Sequence, residues 1–328
     1  MVFASIARGV AVLGMTAMLA LPAFAQQFPS RPIKVIVAFG AGGTADTVIR
    51  LYGQKMSELL STPVIVENKP GAHQLPAIRA LQTSAPDGYT LYAATGSSLV
   101  QNPALRKNLP YDPLKDFSLI GIAVTNPAVI FISPELPART IGELVTYAAA
   151  NPGKLNYGSA GVGTAGHLAV EALLAITGMK ITHIPYKSDA EVIREVMAGN
   201  VHLGIMTTLN TVSFVNSGKI RGLAVTTAQR LPYLPNVPSL TETGIKEIST
   251  LEPHTFIAFV GPAGVPAPVV KQLNEAINKV SSMPDVVTRV RDNLFAEPAT
   301  TTPASFREFI VDQRERWSVI GKTVTLPE

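Results

Sequence analysis

Hydrophobic and polar positions follow two alternating patterns along most of this 328-residue chain. Short β-branched apolar runs give way to longer stretches in which apolar residues recur every three or four positions. The run Ile33-Lys34-Val35-Ile36-Val37-Ala38-Phe39 reads as a buried parallel strand, and the stretch behind it predicts a helix over 44–60. Pro63 to Glu67 and Tyr89 to Ala94 read as the next strands, the second launched from the turn Pro86-Asp87-Gly88. Later strands are expected at 128–132, 155–158, 181–184, 203–206, 222–226 and 256–260. Thr140-Ile141-Gly142-Glu143 has capping-box spacing and predicts a helix through Ala149, stopped by Asn151-Pro152-Gly153. Another helix is expected over 167–176. Val269, Val270, Leu273, Ile277 and Val280 form one apolar helical face behind Pro268, and a last helix is expected from about Pro303 to Ile320.

Such alternation of β and α implies open, largely parallel sheets with helices on both faces. No repeat of 20–50 residues and no low-complexity linker interrupts it. Two glycine-rich loops stand out: Phe39-Gly40-Ala41-Gly42-Gly43-Thr44-Ala45-Asp46, and Gly158-Ser159-Ala160-Gly161-Val162-Gly163-Thr164-Ala165-Gly166-His167. Each follows a strand-like run and precedes a helix-like one, so each offers backbone N–H groups at a helix start, where anions bind. One loop per lobe suggests a loosely duplicated plan, with the chain changing lobes near 121–126 and again near 249–255. The expected organisation is a leader over 1–25, one lobe from 26–123 plus 252–328, and a second lobe from 124–251.

The leader changes the setting. Arg8 supplies a basic start, Gly9 to Leu21 an apolar core, and Pro22-Ala23-Phe24-Ala25 a small-x-small cleavage site before Gln26. The apolar run is shorter than the ~20 residues that span a bilayer, and no basic stop-transfer segment follows it. A periplasmic protein cleaved after Ala25 is expected. The chain has no cysteine, which removes disulfides, thiol nucleophiles, zinc–thiolate sites and lipid attachment at a lipobox. Its net charge of +4 becomes +3 when Arg8 leaves with the leader, a mild bias toward anionic ligands. No basic run interleaved with aromatics points to nucleic acid.

The glycine loops have a second reading. Gly40-x-Gly42-x-x-Ala45 and Gly161-x-Gly163-x-x-Gly166 both fit the dinucleotide fingerprint, and Glu67 stands about where a ribose-binding acid would. An α/β oxidoreductase is therefore the alternative from another class, although nicotinamide cofactors are scarce outside the cytoplasm. No catalytic constellation emerges: there is no G-x-S-x-G elbow and no H-E-x-x-H. His167 and Glu171 are four apart, but a surface contact for Glu171 explains them better than a metal. Hydroxyls gather where strands should end, at Thr95, Ser97, Ser98, Ser159, Thr207 and Thr208, where they can donate to a carboxylate or simply cap helices.

The same segments resemble a known family. Pro32 to Asp46 is similar to the first signature of the Bug family, the periplasmic solute-binding proteins of tripartite tricarboxylate transporters. Val66-Glu67-Asn68-Lys69-Pro70-Gly71-Ala72, Pro86 to Leu91, Asn156 to Thr164, His167 to Glu171, Ile184-Pro185-Tyr186-Lys187, Gly218 to Thr226 and Gly261 to Pro266 match in order. The resemblance implies an α/β, two-lobed periplasmic-binding-protein fold (type II, Venus flytrap) with open mixed sheets. It implies no enzymatic activity and no cofactor. It implies a small organic carboxylate as ligand, delivered to integral-membrane transporter subunits by a monomeric carrier. An exported ligand sensor of the same fold is the other role considered. Carried onto this sequence, the carboxylate is gripped by Phe39, Gly40, Ala41, Gly42 and Gly43 on one side and Ser159, Ala160, Gly163 and Thr164 on the other. Asp46, Thr95, Ser97, Ser98, His167 and Thr207 complete the expected site.

Three departures mark this chain. His73-Gln74-Leu75 stands where the family usually has glycines and often Asn. Ser188-Asp189 stands where it usually has Gly. No acid stands at Met206-Thr207-Thr208, where many members carry Asp. The last departure leaves nothing at that strand end to meet an ammonium, so a dicarboxylate or aromatic acid without an amino group is expected.

Overall fold

The computed structural model describes residues 28–71, 74–106, 108–162, 164–186, 188–245, 248 and 255–322. Gly163, His73 and the leader lie outside them, so the expectations placed there have no structural counterpart below. Among the described residues no helix is long and apolar enough to cross a membrane.

Two mixed sheets carry the chain. The first is built from β1 (Ile33–Val37), β2 (Val64–Asn68), β3 (Thr90–Thr95), β4 (Phe117–Asn126), β10 (Thr255–Pro262) and β11 (Glu297–Pro298), in the order β11-β4-β10-β3-β1-β2. β1 pairs in parallel with β2 and β3, whereas β10 runs antiparallel between β3 and β4. The second contains β5 (Ala128–Ile132), β6 (Asn156–Ser159), β7 (Thr182–Pro185), β8 (Leu203–Thr207) and β9 (Arg221–Val225), in the order β7-β6-β8-β5-β9. There β6 is parallel to β7 and β8, and β5 is antiparallel to β8 and β9. Strands leave the first sheet at Asn126, enter the second at Ala128, and return to the first by Thr255.

Helices cover both sheets. α1 (Thr44–Leu60) turns Val48, Ile49, Tyr52 and Met56 inward, the three-and-four spacing of one buried face. The Tyr52 hydroxyl donates to the Ala123 carbonyl at 2.7 Å, fixing α1 over β4. α2 (Leu75–Gln82) and short helical turns over 97–105 and 113–116 follow. In the second unit α3 (Ile141–Ala150), α4 (Ala165–Thr177), α5 (Asp189–Met197) and α6 (Thr208–Asn216) alternate with the strands. The chain ends with α7 (Ala267–Ser281), α8 (Pro284–Leu294) and α9 (Pro303–Gly321). The expected capping box at Thr140 forms in half. Thr140 accepts from the Glu143 amide at 3.1 Å, but the Glu143 carboxylate reaches past it to the Arg139 amide at 2.6 Å.

Gly121 lies within the long β4, Phe117–Asn126. A side chain at Gly121 would stand 2.9 Å from Asn274 Nδ2, so glycine there admits α7 against the strand. Asn274 uses that closeness to donate to the Ile120 carbonyl at 2.8 Å. The two units also touch directly. Thr208 and Tyr233 of the second unit both donate to the Phe295 carbonyl, behind α8.

Candidate functional site

Parallel strands β1, β2 and β3 end together at Val37, Asn68 and Thr95, and the first glycine loop leaves from that edge. A salt-bridged core supports the loop from beneath. Asp46, on the first turn of α1, is 2 % exposed. Its Oδ2 accepts from the Gly42 amide and from Arg50 Nε, both at 2.9 Å, and its Oδ1 accepts from Asn68 Nδ2 at 2.8 Å. Asn68 Nδ2 also donates to the Phe39 carbonyl at 3.0 Å, and Arg50 donates to Asn68 Oδ1 at 2.9 Å. Burial works against the Asp46 charge, but the hydrogen bonds from Arg50, Gly42 and Asn68 prevail and hold its carboxyl at about 2. Asp46 is thus turned inward and braces the loop.

The loop's outer side stays open. Gly42, at φ +83°, gives its N–H to Asp46. The N–H groups of Gly40, Ala41 and Gly43 donate to no acceptor among the described residues. Nothing lies within 4 Å of where a side chain at Gly40 or Gly42 would stand, and Phe39 is 39 % exposed beside them. Three amides without an acceptor, on exposed residues at a helix start, can hold a carboxylate.

The neighbouring hydroxyls are mostly engaged elsewhere. Thr95 accepts from Gln74 Nε2 at 2.9 Å, and the buried Gln74, at φ +64°, also accepts from Tyr92. Gln74, where the family pattern breaks, therefore ties α2 to the end of β3. Ser97 donates to Gln101 at 3.0 Å. Ser98 is fully buried, donates to the Thr95 carbonyl and accepts from the Thr95 amide. It closes a local turn and presents no hydroxyl to the open side.

The second loop is braced differently. Ser159, 1 % exposed, donates to the Gly161 carbonyl at 3.0 Å and meets His183 Nε2 at 2.7 Å. Behind it Tyr157, His167 and His183 stack, with the two imidazoles 4.2 Å apart. Burial, and then the neighbouring His167, push His183 down to about 4. Glu171 accepts from the Tyr157 hydroxyl, and no cluster among the described residues could hold a metal. Thr164 caps α4: it donates to the Gly161 carbonyl at 2.8 Å and accepts from the His167 amide at 3.5 Å. Ser159 and His167 therefore shape the loop from inside, which the position of hydroxyls along the chain does not foretell.

A cavity of about 210 Å³ opens in front of this loop, lined by Ala160, Thr164, Met206, Thr207, Thr255 and Asp189, among others. Its place is set by the strand ends: Ala128 pairs with Thr207, and Thr255 starts the strand that returns to the first sheet. The Thr207 hydroxyl has no hydrogen-bond partner among the described residues. Asp189, the first residue of α5, escapes a reading of the sequence because it stands eighteen positions before Thr207. Ser188, just before it, is the cap of α5 and accepts from the Glu191 amide at 3.3 Å. The expectation that no acid reaches the Met206–Thr208 end is thereby corrected. A larger groove of about 700 Å³ lies between the starts of β4, α7 and α9, and none of the expected site residues lines it.

The dinucleotide reading loses its acid. Glu67 sits 2.7 Å from Lys69 Nζ and 3.4 Å from Lys34 Nζ, so its carboxylate is already paired. Two units with glycine loops at the ends of parallel strands define a two-lobed binding protein. The Tripartite tricarboxylate transporter family receptor profile matches residues 48–326, and the chain belongs to that family. A UPF0065 protein of Bordetella pertussis is 35% identical over 324 residues, covering 98% of each chain. Among solved structures, an R. palustris protein with adipate is 28% identical with a TM-score of 0.74, covering 91% of this chain and 99% of that one. The periplasmic binding protein BugD is 31% identical with a TM-score of 0.71, covering 90% and 98%. The chain is thus a member of the Bug group of periplasmic solute-binding proteins.

Proposed function

We propose that this chain captures a small dicarboxylate or aromatic carboxylate between its two units and delivers it to integral-membrane transporter subunits. The observation that carries this reading is the open, partnerless set of amides at Gly40, Ala41 and Gly43, held in place by Asp46. The adipate complex of a relative with the same fold supports a carboxylate as the ligand. In this reading the lobes are 26–123 plus 252–328 and 124–251, and the second loop closes on the ligand's far end. The mature monomer works in the periplasm, starting at Gln26 after cleavage behind Ala25, and performs no reaction.

Thermal unfolding of the mature protein with millimolar di-, tri-, amino- and aromatic carboxylates tests the assignment, because a ligand that binds only the folded state raises Tm by mass action. At least one carboxylate is expected to raise Tm and a nicotinamide cofactor to leave it in place. A shift with the cofactor and with none of the acids would overturn it.

A further inference from the structure

We propose that Asp189 receives a cationic amine of the ligand, so that the dicarboxylate or aromatic acid this chain captures also carries an amino group. This rests on the carboxylate site proposed above and adds its second end. The first loop offers three amide donors without an acceptor among the described residues, which suits one carboxylate. What faces the cavity in front of the second loop has the opposite character. Asp189 brings a carboxylate to it, and Thr207 brings a hydroxyl without a protein partner among the described residues.

Among the described residues no cation balances the Asp189 charge. Asn210 Nδ2 donates to its Oδ2 at 2.7 Å, which orients the group without neutralising it. No other donor and no lysine, arginine or histidine pairs with it among the described residues. A half-buried carboxylate without a counter-charge is costly. An acid at a helix start is ordinarily favoured by the helix dipole and held at low pKa. Asp189 departs from that: burial outweighs the Asn210 hydrogen bond and raises its carboxyl above the usual range. A position serving only the helix would turn its carboxylate to water, whereas this one borders the cavity between Thr164 and Thr207.

A ligand ammonium supplies the missing counter-charge and a donor for Oδ1. A second ligand carboxylate at the same place would be repelled by Asp189 through a medium that screens poorly. The cavity, about 210 Å³, exceeds the ~30 Å³ share of one water several-fold. It can take an ammonium with the carbon that bears it.

Calorimetry with matched pairs tests this: aspartate against succinate, glutamate against glutarate, and phenylalanine against 3-phenylpropionate. The wild-type protein is expected to bind the amino member of at least one pair tenfold or more tightly. Asp189→Asn, which keeps size and the hydrogen-bonding shape, is expected to erase that preference while its unfolding curve stays cooperative. Equal or better binding of the amine-free members, or a preference that survives in Asp189→Asn, overturns the assignment and leaves the carboxylate site standing. Binding of no member by a folded wild-type protein overturns both. Asp189→Ala provides the same reading should the asparagine retain part of the contact through its carbonyl oxygen.

Discussion

The two glycine loops look alike in sequence and are built to opposite ends. The first is held by an ionic brace: Asp46 accepts from Gly42, Arg50 and Asn68 at 2.8–2.9 Å. The brace consumes one loop amide and leaves three without an acceptor among the described residues. The second is held by a neutral brace, Ser159 on His183 with Tyr157 and His167 stacked behind, and its cavity is faced by Asp189 and Thr207. A glycine pattern therefore identifies a tight strand-to-helix turn, and the residues beneath and beside it decide whether the turn presents positive or negative character.

The largest expected effect comes from breaking the ionic brace. Asp46→Ala removes the acceptor of three hydrogen bonds, one from a guanidinium, and should lower stability by about 2–3 kcal/mol. Carboxylate affinity should fall with it, because the loop loses its fixed shape. Chemical denaturation and calorimetry on the same preparation check both, and a stable variant with wild-type affinity would show that the brace is dispensable.

Backbone strain separates the glycines of the first loop. Gly42→Ala places a side chain at φ +83° and should cost about 1–2 kcal/mol. Gly40 has neither a left-handed φ nor a neighbour within 4 Å, so Gly40→Ala should stay within about 0.5 kcal/mol. Equal losses in the two melting curves would break this distinction. A valine at Gly42 would strain the loop as well as crowd the ligand, so binding is better probed at Gly40.

The braces should also fail at different pH. His183 is depressed from 6.5 to about 4, so its contribution is complete above about 6.5 and is lost as pH falls toward 4. Asp46 is depressed from 3.8 to about 2, so its contribution is complete above about 4 and is lost between there and 2. His183→Gln should reduce the slope of the upper window without removing it, because His167 and His202, both lowered by burial, titrate there too. Stability measured from pH 7 to 3 in both proteins decides it, and an unchanged slope above pH 4 would remove His183 from the account.

What the sequence allows to be read is what lies close together along the chain. β1 and its glycine loop follow from an apolar run cut off by glycines, and the α1 face follows from Val48, Ile49, Tyr52 and Met56. The reading fails where meaning depends on distant partners. Gly121 shows its reason only when Asn274 is seen packed on it. Asp189-Ala190-Glu191-Val192-Ile193 carries a helical pattern, yet its relation to Thr207 is set by the parallel packing of β6 and β8. Ser98 and Ser159 have the right chemistry near strand ends, but both are buried and spend their hydroxyls on the Thr95 and Gly161 carbonyls.

The central claim is that a ligand carboxylate lies against the amides of Gly40, Ala41 and Gly43. Calorimetric titration of wild-type protein and Gly40→Val with the acid found by thermal shift tests it most directly. The side chain of Gly40→Val enters space that is empty in the protein and that the account gives to the ligand. The account predicts a Tm close to wild type and an affinity reduced by roughly tenfold or more, the ~1.4 kcal/mol of one lost contact. A folded Gly40→Val protein with wild-type affinity would contradict it.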